Sequence, residues 1–181
     1  LCVLAMPEAV YLLYAINKIG AIANMLVMNA TEAEIHEKLA VTESKVVITV
    51  DLALEKIVQA SRETTVKHII GVSLAESMPG VIGTLYKWKS KVKQENCSSF
   101  SEFLKAGQGK KTDCQEIKAD APAVIAYTGG TTGKAKGVLL SNRAANTIAF
   151  QYKYADKVLD FQNGERFLDI IPPFLAYGLF L

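Results

Sequence analysis

Residues 126–138, Ala-Tyr-Thr-Gly-Gly-Thr-Thr-Gly-Lys-Ala-Lys-Gly-Val, hold the densest set of anion-binding groups in the chain. Four glycines and three threonines stand between an apolar run, residues 123–127, and a helix signal that opens near Ser141. Glycine lets successive backbone N–H groups turn toward one point, because a positive φ carries little penalty there. A concave row of such groups binds anions. Thr128, Thr131 and Thr132 add hydroxyl donors, and Lys134 and Lys136 add positive charge. These groups suit the oxygens of a polyphosphate. A plain glycine-rich strand-to-helix turn with solvated lysines is the other reading. The crowding of hydroxyl and ammonium groups into one loop puts phosphate binding ahead of it.

Two generic nucleotide loops are excluded by spacing. The Walker A pattern needs four residues between its glycines and a Ser or Thr after its Lys. The interval from Gly129 to Gly133 is one residue short, and Ala135 follows Lys134. The dinucleotide fingerprint needs two glycines separated by a single residue, and this loop has no such pair.

The elements that must carry this loop read as strand–helix units. The chain has 181 residues, half of them hydrophobic, and a net charge of +2. That is enough for one α/β domain with a core, and too mild a charge to point to nucleic acid or a membrane surface. Residues 1–5 predict a short strand. Pro7 suits the first turn of a helix to about Ile19, with Val10, Leu13, Tyr14 and Asn17 on one face and Gly20 as its stop. Residues 21–27 predict a buried strand. Thr31 and Glu34 form a capping box for a helix ending near Val41. Residues 45–50 are a β-branched strand, Asp51 caps a helix to about Arg62, and residues 66–72 are a further strand. Such alternation predicts a three-layer α/β/α arrangement around a mostly parallel sheet.

Residues 79–118 break the pattern. Lysines stand at 87, 89, 91, 93, 105, 110, 111 and 118. They read as a solvated insertion, with a basic patch for the phosphates of CoA as the alternative. Residues 99–105 predict a short helix that tucks Phe100, Phe103 and Leu104 onto the domain. Pro122 marks the start of the strand before the loop. Ser141 or Asn142 caps a helix to about Leu159, whose stripe of Ala145, Ile148, Ala149, Tyr152, Ala155 and Leu159 reads as core. Residues 167–171 predict another strand. Residues 9–30 are apolar, but Glu8 and Asn17-Lys18 exclude a membrane span. Cys2, Cys97 and Cys114 are widely spaced and read as free thiols of a cytoplasmic protein. His36 and His68 stand alone, and no metal-ligand cluster is present in the sequence.

Tyr127-Thr-Gly-Gly-Thr-Thr-Gly-Lys-Ala-Lys-Gly-Val138 resembles the phosphate loop of the AMP-binding, adenylate-forming enzymes, which include acyl-CoA synthetases, 4-coumarate-CoA ligases, luciferases and peptide-synthetase adenylation domains. The family pattern is aromatic-Thr-small-Gly-Thr-Thr-Gly-x-Pro-Lys-Gly. Ala135 departs from it where Pro is usual, which loses a pre-set φ and gains an N–H. Residues 15–24 are similar to the family's helix, glycine and strand that precede an acidic helix. Residues 170–181 resemble the next motif, Pro-x-Phe-His-x-x-Gly, with Pro172, Phe174 and Gly178 matching and Leu175 at the His position.

The resemblance implies a single incomplete N-terminal domain over residues 1–181, with the C-terminal domain absent. It implies an ATP-dependent fatty acid–CoA ligase that activates a carboxylate as acyl-AMP and passes it to CoA. It assigns Thr128, Gly129, Gly130, Thr131, Thr132, Gly133 and Lys136 to the ATP phosphates, and Phe174, Leu175 and Gly178 to an acyl or adenylate pocket. ATP, Mg²⁺ and CoA are the implied cofactors and substrates, with the Mg²⁺ ligands mainly outside these residues. No catalytic residue and no metal ligand is assigned within them, and the chain alone is expected to be inactive and to self-associate through an exposed apolar edge. The alternatives are an adenylation domain for an amino or aryl acid, and a non-catalytic nucleotide-binding α/β module. A downstream Tyr-Gly-x-Thr-Glu element and a late Lys would separate the ligase from the non-catalytic module, and a downstream Asp that grips an amino group would mark amino-acid adenylation.

Overall fold

The β-branched run at 46–50 and the apolar run at 68–72 pair side by side. In the computed structural model, which describes residues 1–78, 97–112, 114, 116–129, 135–154, 164, 166 and 171–179, β2 (Val46–Val50) lies parallel to β3 (His68–Val72) in the register Val46↔His68 to Val50↔Val72. β4 (Cys97–Ser99) adds to β3, also parallel. A second sheet has β5 (Pro122–Tyr127) at its centre, with β1 (Ala23–Asn24) parallel on one side and β6 (Gly137–Ser141) antiparallel on the other. Residues 1–3 join the two sheets. The Leu1 amino group donates to Asn24 O at 2.6 Å, and Leu26 N–H donates to Leu1 O at 2.7 Å. On the other side Cys2 N–H donates to Ile48 O at 2.9 Å, and Val50 N–H donates to Cys2 O at 3.2 Å. The mostly parallel α/β architecture expected from the sequence is therefore present.

The helices follow from local signals. α1 (Pro7–Lys18) has Pro at its start, Glu8 in the first turn and Lys18 in the last, matching the helix dipole. It ends as a Schellman motif: Gly20, with φ of 72°, donates to Asn17 O, and Ala21 N–H donates to Ile16 O. α2 (Glu32–Val41) carries the expected capping box, with both Thr31 N–H and Thr31 Oγ1 donating to the Glu34 carboxylate. α3 (Leu54–Ala60) follows a 3₁₀ turn at Asp51–Ala53. α4 (Phe100–Gly107) opens with a second capping box, Ser99 with Glu102. α5 (Asn142–Tyr154) starts after Ser141, whose Oγ accepts from Ala144 N–H at 3.2 Å. α6 (Ala176–Leu179) is one turn. Ile35, Leu39, Ile57, Val47, Val50, Val72, Met25 and Leu26 form the centre of the core, between the sheets and the helices α2 and α3.

Several expectations are corrected. Residues 1–5 form an isolated bridge, Cys2 with Thr49, because only residues 1–3 reach both sheets. The strand expected at 21–27 is cut to two residues: Met25 N–H still bonds to Ile125 O, but Leu26 N–H bonds to Leu1 O instead of β5. α1 buries Ala9 and Leu12, while Val10 and Tyr14 of the expected face are exposed. Asp51 does not cap α3; it accepts from Ser73 Oγ at 3.2 Å and so ties β2 to the end of β3. Phe100 is buried, but Phe103 and Leu104 are exposed. On α5, Ala145 and Ile148 are half-buried and Ala149 is exposed, so the stripe expected to be core is not enclosed there. Tyr152's side chain, Ala155 and Leu159 lie outside the described residues, as do 79–96 and the strand expected at 167–171.

The capping box sets a pH dependence. The backbone N–H of Thr31, then its hydroxyl, holds the Glu34 carboxyl below its ordinary value of 4.5. The unfolded chain takes up this proton first as pH falls, so Glu34's contribution is complete above 4.5 and is lost as pH drops through the lower folded value. Urea unfolding from pH 6 to 3 should show a shallower loss of stability in Glu34→Gln than in the parent chain; equal slopes would refute the assignment.

Candidate phosphate-binding site

β5 delivers Tyr127 and Thr128 to one end of the sheet, and β6 returns from that end. The glycine-rich loop therefore closes a β-hairpin, and not the strand-to-helix turn that the sequence suggests. The reason is the apolar run after Gly137, which pairs with β5 in the register Tyr127↔Gly137, Ala126↔Val138 and Ile125↔Leu139 before the helix begins. α5 starts at the far end of β6, roughly 14 Å away at the rise of a strand. The helix dipole fades within a turn of the helix end, so anion binding here rests on the loop's own groups.

The base of the loop is closed twice. Thr128 N–H donates to Lys136 O at 3.0 Å, and Lys136 N–H donates to Thr128 Oγ1 at 3.3 Å. A threonine hydroxyl has one proton and two acceptor lone pairs. With a lone pair taken by Lys136 N–H, its proton remains to be donated outward. Thr128, Gly129, Ala135 and Lys136 are all exposed. Gly130, Thr131, Thr132 and Gly133, together with Lys134, lie outside the described residues. The described donors are N–H, hydroxyl and ammonium groups, which fit phosphate oxygens. Divalent hard cations take oxygen ligands, carboxylates above all, and among the described residues no group of three or more His, Cys, Asp or Glu gathers.

Behind the loop stands a polar cluster that the sequence reading left out. Tyr127 Oη donates to Asn24 Oδ1 at 3.0 Å. Asn24 Nδ2 donates to Thr42 Oγ1 at 2.9 Å and Ser44 Oγ at 3.3 Å. Thr42 and Ser44 hydroxyls are 2.8 Å apart, and Thr42 Oγ1 also donates to Lys38 O at the end of α2. Lys38 Nζ sits 4.4 Å from the centre of the Tyr127 ring, a cation–π contact. Burial pushes the Tyr127 hydroxyl above its ordinary value, against a smaller opposing effect of the Asn24 hydrogen bond. The signal for this cluster was one asparagine inside an otherwise apolar strand.

Of the second motif's residues, Phe174 shares the core cluster with Tyr127 at the loop's base. Leu175 is 45% exposed, and Gly178 is buried. A cavity of about 380 Å³ lies elsewhere, lined by Asn17, Gly20, Glu116, Lys118, Ala121 and Asn142 among others. It sits at the Pro122 end of β5, opposite the loop. There Asn17 Nδ2 donates to Asn142 Oδ1 at 2.6 Å, and Arg143 clasps Asp120 through two bonds of 2.6 and 3.1 Å. Cys2, Cys97 and Cys114 are free thiols, and burial pushes the Cys2 and Cys97 thiols up, away from the reactive thiolate.

A family model described as AMP-binding enzyme matches residues 1–181. A long-chain-fatty-acid–CoA ligase of Bacillus subtilis (strain 168) is 30% identical over 182 residues, covering 96% of this chain and 32% of the relative. A 4-coumarate–CoA ligase of Oryza sativa subsp. japonica is 26% identical over 174 residues, covering 96% of this chain and 28% of the relative. Among solved structures, a long-chain-fatty-acid-CoA ligase from Archaeoglobus fulgidus superposes with a TM-score of 0.74 at 20% identity, covering 98% of this chain and 31% of that one. A red-emitting luciferase from Phrixothrix hirtus gives 0.73 at 20% identity, with 99% and 32% covered. These structures share the fold. The chain spans about a third of the length of the relatives it matches.

Two glycines are fixed by close approach. A Cβ on Gly178 would meet Ile171 O at 2.5 Å and Pro172 O at 2.7 Å, both backbone atoms that cannot swing aside. A Cβ on Gly137 would stand 3.2 Å from Ile125 Cγ2 and from Tyr127 Cε1. The Tyr127 ring is held by Asn24 and cannot yield freely, so Gly137→Ala should cost about 1–3 kcal/mol, as overpacking does. Urea denaturation should show that cost shrinking when Tyr127→Leu is added. Strict additivity of the two changes would show that the ring is not what resists.

Proposed function

The chain belongs to the AMP-binding enzyme family, and we propose that it supplies the phosphate-binding part of an ATP-dependent fatty acid–CoA ligase. The observation that carries this reading is the base of the hairpin loop, closed by Thr128 and Lys136, with Thr128, Gly129, Ala135 and Lys136 exposed to solvent. In the proposed reaction a carboxylate oxygen bonds to the α-phosphorus of ATP and the bond to pyrophosphate breaks, giving acyl-AMP. The thiol of CoA then bonds to the acyl carbon and AMP leaves. Thr128, Gly129, Gly130, Thr131, Thr132 and Gly133 hold the β- and γ-phosphates by N–H and hydroxyl donors. Lys136 supplies a point charge on a flexible stem that follows the departing pyrophosphate oxygens. Donors fixed before the reaction contribute on the order of a few kcal/mol where charge develops. Mg²⁺ would supply positive charge that offsets the phosphates' negative charge, and none of the residues assigned here would hold it.

Phe174, Leu175 and Gly178 are assigned to the wall of the acyl or adenylate pocket; Leu175 in place of a ring nitrogen leaves that wall apolar, which supports a greasy acid. The similarity to a 4-coumarate–CoA ligase supports an aryl acid as the second reading. The free thiols support a reducing compartment, and we place the protein in the cytoplasm. Among the described residues no helix is long and apolar enough to cross a membrane. The exposed apolar side chains Val138 and Leu139 on β6, with Phe150 and Tyr154 on α5, support self-association of the chain.

ATP–pyrophosphate exchange tests the reading. The 181-residue chain alone should give none. The longest open reading frame containing it should exchange with a long-chain fatty acid, and Lys136→Ala should lower the rate at least about tenfold. Exchange driven by 4-coumarate or an amino acid instead would replace the fatty acid reading. Exchange by the chain alone would remove the claim that it is only a part. Sedimentation velocity of the chain should show species larger than a monomer, and a single monomer boundary would count against the exposed edge.

A further inference from the structure

Asn24 is one of two buried polar side chains among the described residues, the other being Thr49. It stands in β1 between Ala23 and Met25, both buried, where an apolar residue would pack with no need for partners. A buried amide is costly unless its hydrogen-bonding groups are met. Asn24 meets them in a way that fixes the ring of Tyr127: its oxygen accepts from Tyr127, and its nitrogen donates to two hydroxyls at the end of α2. Tyr127 is bonded directly to Thr128, whose N–H and Oγ1 close the phosphate loop on Lys136. Hydrogen bonds thus run from the end of α2 through Asn24 to Tyr127, and the peptide bond carries the link on to the loop base.

We propose that Asn24 is a positioning residue for the phosphate loop, acting through the Tyr127 hydroxyl. It touches no reacting atom. It sets the direction in which β5 leaves the sheet, and so where Thr128 and Lys136 present their donors. Its consequence for ATP rests on the reading of this loop as a polyphosphate site; its consequence for loop order does not. Replacing one partner should loosen the base of the hairpin. Replacing both by apolar groups removes the buried unmet polar atom, which restores stability, but leaves the link cut.

The test uses the whole chain and its Tyr127→Phe, Asn24→Leu and double variants. Tyr127→Phe keeps the ring and is the mild member of the set. Amide hydrogen exchange without nucleotide should speed up at Thr128 and Lys136 by about fivefold in Tyr127→Phe, the equivalent of one lost hydrogen bond. Asn24→Leu should do at least as much, and the double variant no more than Asn24→Leu. Amides of β2 and β3 should be unchanged, and the thermal midpoint of the double variant should recover relative to Asn24→Leu. Unchanged exchange at Thr128 and Lys136 in Tyr127→Phe would overturn the proposal. So would exchange that recovers with the thermal midpoint in the double variant, since the link would then serve stability alone. Calorimetric titration with MgATP forms a separate arm. Binding that is about fivefold weaker in Tyr127→Phe extends the proposal to the ligand, whereas a parent chain that binds no MgATP sinks the phosphate reading and leaves the exchange result to decide the role of Asn24.

Discussion

Backbone hydrogen bonding across residues 1–3 is the constraint on which the sheet depends. β1 and β2 do not pair with each other; Leu1 bonds to β1 on one side and Cys2 bonds to β2 on the other. An unpaired buried peptide group costs about as much as a lost hydrogen bond, so neither sheet edge could be buried without this strip between them. Cys2 and Val3 are fully buried as a result, and Thr49 beside them turns its hydroxyl to Cys2 O. The strip brings the half that carries the loop, β1-β5-β6, into line with the half that carries most of the core, β2-β3-β4 with α2 and α3. The polar cluster from Asn24 to Thr42 and Ser44 crosses the same seam from strand to helix end.

That seam leads to the base of the glycine-rich loop. Glycine gives freedom of direction but costs conformational entropy when ordered. The order has to come from the legs. One leg is Tyr127, held by Asn24 at its hydroxyl and covered by Lys38 on its face. The other is Lys136, held to Thr128 through both its N–H and its C=O. Gly137 lets the second leg pass against the Tyr127 ring at a separation that a side chain would disturb. A base tied at both legs fits the proposed phosphate ligand.

Much of this was legible in the sequence because the signals are local. Thr31 with Glu34 is a capping box in sequence and in space, and Pro7 and Gly20 bound α1 as their backbone preferences require. The residues at 46–50 and 68–72 are strands for the same reason. The misreadings came where tertiary pairing overrode local chemistry. Residues 137–141 carry no strong strand signature, yet pairing with β5 makes them a strand and turns the loop into a hairpin. The faces of α1 and α5 could not be assigned from spacing alone. Val10 and Tyr14 satisfy helical periodicity as well as Ala9 and Leu12 do, and only the position of the sheet decides which pair is covered. Asn24 was passed over because a polar residue in a strand has meaning only through partners distant in sequence.

Ala135 shows how these pieces depend on one another. The resembling family usually has Pro there, and Pro would fix φ near the foot of the returning leg. With Ala, the unfolded loop has more conformations to lose, and nothing covalent orients the residue before Lys136. The exposed position offers no packing to compensate, since Ala135 and Lys136 both face solvent. Order on that leg must then come from the paired hydrogen bonds to Thr128, and Thr128 is only as well placed as Tyr127 before it. The substitution of Ala for Pro therefore shifts weight onto the Asn24–Tyr127 link. Ala at 135 also restores a backbone N–H that Pro would lack, at an exposed position of the loop.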